Sequence, residues 1–297
     1  MSMITEYAPA KVNLTLEVLG KRPDGYHEIA SLVAFADFGD VIALDTSKPA
    51  EVRVSGPFGE GIAGPNLIEV TLRKLTDANP ELALGAVHLE KRLPVAAGIG
   101  GGSADAAAVL RAVRRANPAL ANSVDWYALA KSLGADVPVC LFNLPAWVTG
   151  VGETLEEAGD LPALDAVLVN PMVPMPPDKT AQVFRGLNAR PLDSRQMAER
   201  ASRPGLFASS DALIGYMASR GNSLADAACG VAPVIEVVKS ALLAAPRCQY
   251  AGVSGAGPTC FGIYEDPVAA AHGIISAHPD WWVKPVRLGA PVCSSAG

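Results

Sequence analysis

The segment from Pro94 to Ala104, Pro-Val-Ala-Ala-Gly-Ile-Gly-Gly-Gly-Ser-Ala, runs straight into Asp105-Ala-Ala-Ala-Val-Leu-Arg-Ala-Val-Arg-Arg115. A strand pattern over 86–94 delivers the loop and an alanine-rich helix leaves it. This succession constrains the fold more than any other feature of the chain. Glycines let the backbone turn tightly with N–H groups facing a ligand. The helix adds unpaired N–H groups and the positive end of its dipole. Such a junction binds anions, and phosphate is the usual one.

Three known kinds of glycine loop fit poorly. A P-loop requires a lysine before a closing Ser or Thr, and no lysine precedes Ser103. A dinucleotide fingerprint wants glycine at relative positions one, three and six, with a carboxylate about twenty residues on. Gly98 and Gly100 fit, but the sixth place is Ser103, and Asp125 precedes a helical pattern rather than ending a strand. A protein-kinase loop lies between strands, whereas this one opens a helix. The loop is therefore a phosphate cradle of a fourth kind, with Ser103 expected as the helix N-cap.

With 297 residues the chain is long enough for two domains, each with its own core. Half of it is hydrophobic and the net charge is -6, which argues against a general nucleic-acid binder. The amino terminus lacks a basic start followed by an apolar run, and no stretch approaches the ~20 apolar residues of a membrane span. Cys140, Cys229, Cys248, Cys260 and Cys293 show no paired spacing, which suits reduced thiols in a cytoplasm. The expectation is a cytoplasmic protein with no membrane or nucleic-acid partner, acting as a monomer or weak homodimer.

Polar and apolar residues alternate over 10–19, which predicts a strand carrying Lys11, Asn13, Thr15 and Glu17 on one face. Short strands are expected at 40–44 and 52–55. Helices are expected from Asn66 as N-cap, over about 103–116, and over 125–133 with Gly134 closing the last. Pro138 disfavours a helical Val137, so Asp136 is expected at a helix-to-strand junction. The proline-rich run 170–178 cannot be a helix interior and marks a change in composition. Helices dominate 179–245, a second glycine loop over 251–259 feeds a strand, and 294–297 reads as a frayed tail. His88, His272 and His278 show no metal spacing. The pattern is α+β in two lobes.

Three segments, Pro9-Ala-Lys-Val-Asn13, the loop Pro94–Ala104, and Gly252-x2-Gly-Ala-Gly-Pro-Thr259, resemble in order the three signatures of the GHMP kinase superfamily. Arg22-Pro-Asp-Gly-Tyr-His27, Lys91-Arg-Leu-Pro94 and Gly134-Ala-Asp-Val-Pro138 narrow the resemblance to the branch acting on diphosphocytidyl methylerythritol in the non-mevalonate isoprenoid pathway. It implies a two-domain GHMP kinase fold. An N-terminal ATP-binding domain over 1–158 would resemble the second domain of ribosomal protein S5. A ferredoxin-like domain over 159–297 would complete the substrate cleft. It also implies transfer of the ATP γ-phosphate to an acceptor hydroxyl, with Mg²⁺ as the nucleotide's counterion.

The resemblance gives roles to particular residues. Asp136 is the expected base and Lys11 its partner at the acceptor hydroxyl. Pro94, Val95, Ala96, Ala97, Gly98, Ile99, Gly100, Gly101, Gly102, Ser103 and Ala104 are expected around the ATP phosphates. Ala104 departs from the commoner second serine, which removes one hydroxyl and leaves the backbone cradle. Asn13, Tyr26, His27, Thr180 and Phe184 are expected on the acceptor, with Tyr26 and Phe184 stacking on the cytosine and His27 reading its edge. Asn66 serves as helix cap or as adenosine contact. Two other readings stay open: a GHMP kinase of homoserine or mevalonate type, and a catalytically dead binding protein on the same scaffold.

Overall fold

The structure is a computed structural model and describes residues 3–61, 66–193 and 201–289. Its organising element is β3, His27–Asp45, which pairs with β1 (Ile4–Asn13), β2 (Glu17–Lys21), β5 (Ala86–Glu90), β6 (Ala146–Gly150) and β11 (Trp282–Leu288). From β3 the sheet extends one way through β5 to β4 (Glu51–Ser55). It extends the other way through β11, β8 (Leu164–Asn170) and β10 (Cys260–Tyr264) to β9 (Cys248–Val253). A short β7 (Thr154–Glu157) pairs with β6. Among the described residues, β4 and β5 are the one parallel pair of strands. One mixed sheet therefore runs through both halves of the chain.

Two strand expectations need correction. The alternating run 10–19 is two strands, broken between Asn13 and Glu17, where Leu14 and Thr15 both donate backbone N–H bonds to Leu32 O. Its polar residues Lys11, Asn13, Thr15 and Glu17 are all buried, so the face they share is an interior wall. The separate strand expected at 40–44 is the far end of β3. The polar stretch Asp37-Phe-Gly-Asp40 reads as an interruption, but Asp40 is wholly buried and bonded to β5-side groups, which keeps the strand continuous.

On one side of the sheet lie α1 (Leu67–Ala78), α2 (Gly101–Ala116), α3 (Trp126–Leu133) and α4 (Val137–Phe142). Alanines at 104, 106, 107, 108 and 112 let α2 lie close against β1 and β3, where it is buried around most of its girth. Ile68, Leu75, Val109, Trp126 and Val139 fill the space between. Complete burial of each such large apolar side chain stabilises by about 1.5–3 kcal/mol.

Beyond the proline-rich run come α5 (Lys179–Gly186), α6 (Ser210–Arg220), α7 (Ala225–Val231), α8 (Val234–Ala244) and α9 (Pro267–Ala277). Val169, Val183, Ile235, Leu242, Tyr264 and Ile274 pack beneath them. A middle cluster, including Leu14, Leu32, Trp147, Leu164, Met217, Phe261 and Leu288, draws residues from both halves of the chain.

Asn66 caps α1 as expected, accepting from Ile68 N at 3.0 Å, and Gly134 closes α3. Among the described residues no helix is long and apolar enough to cross a membrane. Cys140, Cys229, Cys248 and Cys260 are free thiols. Cys293 and the tail 294–297 lie outside the described residues.

Candidate active site

The loop from Pro94 turns into α2 through left-handed backbone at Ala96, Gly98 and Gly100, with φ of 55°, 79° and 68°. Gly100 is the helix N-cap, so Ser103 lies inside the first turn instead of capping it. The reason is geometric: a positive φ at the cap suits glycine, and the Gly100 carbonyl accepts from Ala104 N at 2.8 Å. The first-turn N–H groups of Gly101, Gly102 and Ser103 have no intrahelical carbonyl to bond, so the anion-binding end of the dipole sits at the loop.

The second glycine loop, between β9 and β10, braces the first. Thr259 N donates to Ala97 O at 3.1 Å, and Ser254 Oγ donates to Gly98 O at 3.3 Å. A Cβ at Gly98 would stand 2.1 Å from Gly257 O, so only glycine permits this contact. Strand β1 is tied in as well, since Lys11 N donates to Ile99 O at 2.9 Å.

Lys11 and Asp136 come from elements 125 residues apart. The register of β1 against β3 shifts between Pro9 and Lys11, and the Lys11 side chain is buried beneath the loop. Its Nζ donates to Asp136 Oδ1 at 3.2 Å and to Asn13 Oδ1 at 2.9 Å. Asn13 Nδ2 in turn donates to Ser31 Oγ at 2.8 Å, which donates to Thr15 O. This buried chain fixes the Lys11 head. Asp136 is the N-cap of α4 and not a helix-to-strand junction, because a proline in the first helical turn costs no hydrogen bond. Its side chain is 49% exposed, so the carboxylate reaches the cleft while Lys11 holds it from behind.

Three adjoining cavities follow from this frame. The first, ≈ 420 Å³, lies along the loop and is lined also by Asn66, Lys91, Asp105, Lys179 and Thr180. The second, ≈ 310 Å³, contains Lys11, Asn13, Asp136, Gly98, Gly100, Ser103, Lys179, Thr180 and Phe184. The third, ≈ 930 Å³, contains Lys21, Tyr26, His27, Thr180, Phe184 and Arg185. Thr180 borders all three, and Phe184 borders the second and third.

The structure gathers most of the residues singled out in the sequence along one groove, but Ile99 and Ala104 are wholly buried in the core and line none of the three cavities, so they support the loop from behind. A second detail differs. Phe184 stacks directly on His27, with ring centroids 5.0 Å apart and planes 30° apart, so it already has a ring partner within the protein. Burial, with Lys21 nearby, lowers the His27 pKa, so its imidazole is neutral at pH 7 and can both donate and accept. Tyr26 is 65% exposed at the rim. Asn66 spends its Oδ1 on the α1 cap, and its buried Nδ2 has no partner among the described residues, so the cap leaves a donor at the loop cleft.

Sequence reasoning missed several groups. Lys91 Nζ donates to Asp40 Oδ2 at 2.5 Å and to Asp105 Oδ2 at 2.7 Å, all three side chains being almost wholly buried. Burial alone would depress the lysine, but Asp105 and Asp40 outweigh it and raise its pKa, while burial raises that of Asp105. Asp40 Oδ1 also accepts from Arg92 N and Leu93 N at 2.6 and 2.8 Å, which anchors the start of the loop. Lys179, buried, donates to Gly257 O. Only Lys91 had a local signal, in the Lys-Arg-Leu-Pro run. Asp40 lies far from any motif, while Lys179 stands directly before Thr180 in the segment that carries Phe184.

A lysine–carboxylate pair beside a backbone anion cradle is the equipment of a small-molecule kinase. The sequence models of the "GHMP kinases N terminal domain" and "GHMP kinases C terminal" match residues 66–143 and 205–277. The chain is 44% identical over 297 residues to 4-diphosphocytidyl-2-C-methyl-D-erythritol kinase of Methylorubrum extorquens (strain PA1), covering 97% of this chain and all of that one. It is 45% identical over 291 residues to the enzyme of that name from Dinoroseobacter shibae, covering 96% and 95%. A crystal structure of 4-(cytidine 5'-diphospho)-2C-methyl-D-erythritol kinase shares the fold with a TM-score of 0.72 at 32% identity, covering 97% of this chain and all of that one. The chain belongs to the 4-diphosphocytidyl-2-C-methyl-D-erythritol kinase family.

Proposed function

We propose that the protein transfers the γ-phosphate of ATP to the 2-hydroxyl of 4-diphosphocytidyl-2-C-methyl-D-erythritol, a step of the methylerythritol phosphate route to isoprenoids. The observation that carries this reading is the Lys11–Asp136 pair, 3.2 Å apart, in the cavity that joins the glycine loop to the His27–Phe184 pocket. Asp136 takes the hydroxyl proton as the acceptor oxygen bonds to the γ-phosphorus and ADP leaves. Lys11 orients that carboxylate and offsets charge on the moving group. The loop from Pro94 to Ala104 holds the phosphates through its N–H groups. Tyr26, His27, Thr180 and Phe184 take the cytidine end, and Asn13 lines the acceptor position.

GHMP kinases use ATP as the phosphate donor. Among the described residues no group of three or more His, Cys, Asp or Glu could hold a metal ion. The donor set therefore fits Mg²⁺ only as an ion carried largely by phosphate oxygens, with the Ser103 hydroxyl as the protein's contribution; when bound it would neutralise phosphate charge.

We read residues 1–158 as the ATP-binding domain and 159–297 as the domain completing the cleft. We read the whole as a cytoplasmic enzyme, monomeric or weakly dimeric, without membrane or nucleic-acid partners. Purified protein with ATP-Mg²⁺ and each of three acceptors tests the function: the diphosphocytidyl compound, homoserine and mevalonate. ADP and a 2-phosphate should form with the first alone. Turnover confined to either of the others would overturn the substrate assignment.

A further inference from the structure

Three buried lysines border the groove, and one differs from the others. Lys11 faces Asp136, and Lys91 faces both Asp40 and Asp105. Lys179, the first residue of α5, is just as deeply placed at 6% exposure. Among the described residues no carboxylate pairs with it, and its hydrogen bond is to the Gly257 carbonyl. Burial, with no opposing charge, pushes its pKa down to about 8. An ammonium carries three N–H donors, and one backbone oxygen engages one of them. A charge desolvated without a partner is costly to the fold, so an anionic ligand at this position would relieve that cost.

The position is informative. Gly257 O, which binds Lys179, is the same oxygen that presses against Gly98. The loop cavity and the Lys11–Asp136 cavity share five bordering residues: Gly98, Gly100, Ser103, Lys179 and Thr180. Lys179 is the only charged one of the five. It stands where the donor side meets the acceptor side.

We infer that Lys179 is a catalytic residue whose ammonium contacts the phosphoryl group as it passes from the nucleotide to the acceptor hydroxyl. This rests on the kinase reading above. In that step the acceptor oxygen–phosphorus bond forms, the bond from phosphorus to the departing ADP oxygen breaks, and the hydroxyl proton goes to Asp136. Lys179 forms no covalent bond and donates hydrogen bonds to an equatorial oxygen, where charge gathers in the transition state.

The test compares wild type with Lys179→Met and Lys179→Arg in turnover of the diphosphocytidyl acceptor, in slow ATP hydrolysis to water, in binding of the non-hydrolysable analogue AMP-PNP, and in thermal melting. Lys179→Met should lower kcat on the order of 10²–10³-fold, with AMP-PNP affinity changed far less and a folded protein by melting. Lys179→Arg should recover part of the loss. The wild-type kcat/KM for ATP should fall above about pH 8, as the free enzyme's ammonium loses its proton. In Lys179→Arg that fall should move to higher pH. The other titratable groups around it, Lys91 and Asp105 on the donor side, Lys11 and Asp136 on the acceptor side and Asp178 next in sequence, remain in both proteins, so the difference isolates residue 179.

Wild-type kcat in folded Lys179→Met, or an unchanged pH profile in Lys179→Arg, would overturn the inference. If Lys179→Met does not fold, the Lys179→Arg profile decides alone. If wild type ignores the diphosphocytidyl acceptor, the kinase assignment fails there, and ATP hydrolysis by the variants still decides the role of Lys179.

Discussion

The two ends of the groove are built from different materials. At the loop end the walls are backbone and buried charge: the N–H groups of 101–103, the Lys91–Asp40–Asp105 cluster, and one glycine loop braced on another. At the far end they are side chains near the surface: Tyr26, Lys21, Arg185 and the His27–Phe184 stack. The first wall is part of what keeps the chain folded. The second can change with little cost to stability.

Substitutions at each end should separate these properties. The largest effect belongs where the ends meet: Asp136→Asn should lower kcat on the order of 10²–10⁴-fold with an unchanged melting temperature. Normal turnover by that variant would remove Asp136 as base. Next comes the buried wall. Asp40→Ala leaves Lys91 with Asp105 alone and orphans the backbone N–H groups of Arg92 and Leu93, and should cost about 1–3 kcal/mol for each orphaned group in denaturant unfolding. A loss below about 1 kcal/mol would show that the cluster is not structural, contrary to what removal of a buried partner entails.

Gly98→Ala forces a methyl onto Gly257 O at a φ of 79°, for about 1–3 kcal/mol from backbone strain alone. It should weaken ATP binding and spare the cytidine acceptor. Equal weakening of both ligands would mean that the two ends are not separable. At the exposed end, Phe184→Ala removes a stack worth about 0.5–1.5 kcal/mol. It should raise acceptor KM up to roughly tenfold, with melting nearly unchanged.

The mildest expectation concerns pH. His27 is held neutral by burial and Lys21, so its folded pKa lies below the ordinary 6.5. Acceptor KM should stay flat across neutrality and rise only as pH falls below 6.5, when the ring gains its proton. The same shift means that stability declines with acid through that window, because the unfolded chain binds the proton first. His27→Gln should flatten the acid limb of the acceptor KM.

Local chemistry was readable from the sequence and long-range pairing was not. The glycine loop, the Asn66 cap, the Gly134 stop and the helices after the proline run each follow from residues within a few positions of one another. Ser103 was misassigned because serine is the better side-chain cap, whereas the backbone at Gly100 had already taken the left-handed turn. Pro138 was read as a helix breaker when it occupies the first turn, where its missing N–H is harmless. Asp40, Lys91 and Asp105 span 65 residues and meet only once β3, β5 and α2 are assembled. Lys179 opens α5 just past the proline-rich run, and its hydrogen-bond partner, the Gly257 carbonyl, lies 78 residues later in the chain.

The middle cluster of apolar residues bears on how the molecule moves. Leu14, Leu32 and Trp147 from the first half interlock with Leu164, Met217, Phe261 and Leu288 from the second, and Gly289 N donates to Phe35 O at 3.1 Å across the same seam. Opening these two halves like jaws around a hinge would expose that common core to water. Heating should release both halves together, in a single calorimetric transition, because neither can give up its share of the common core without exposing the other's.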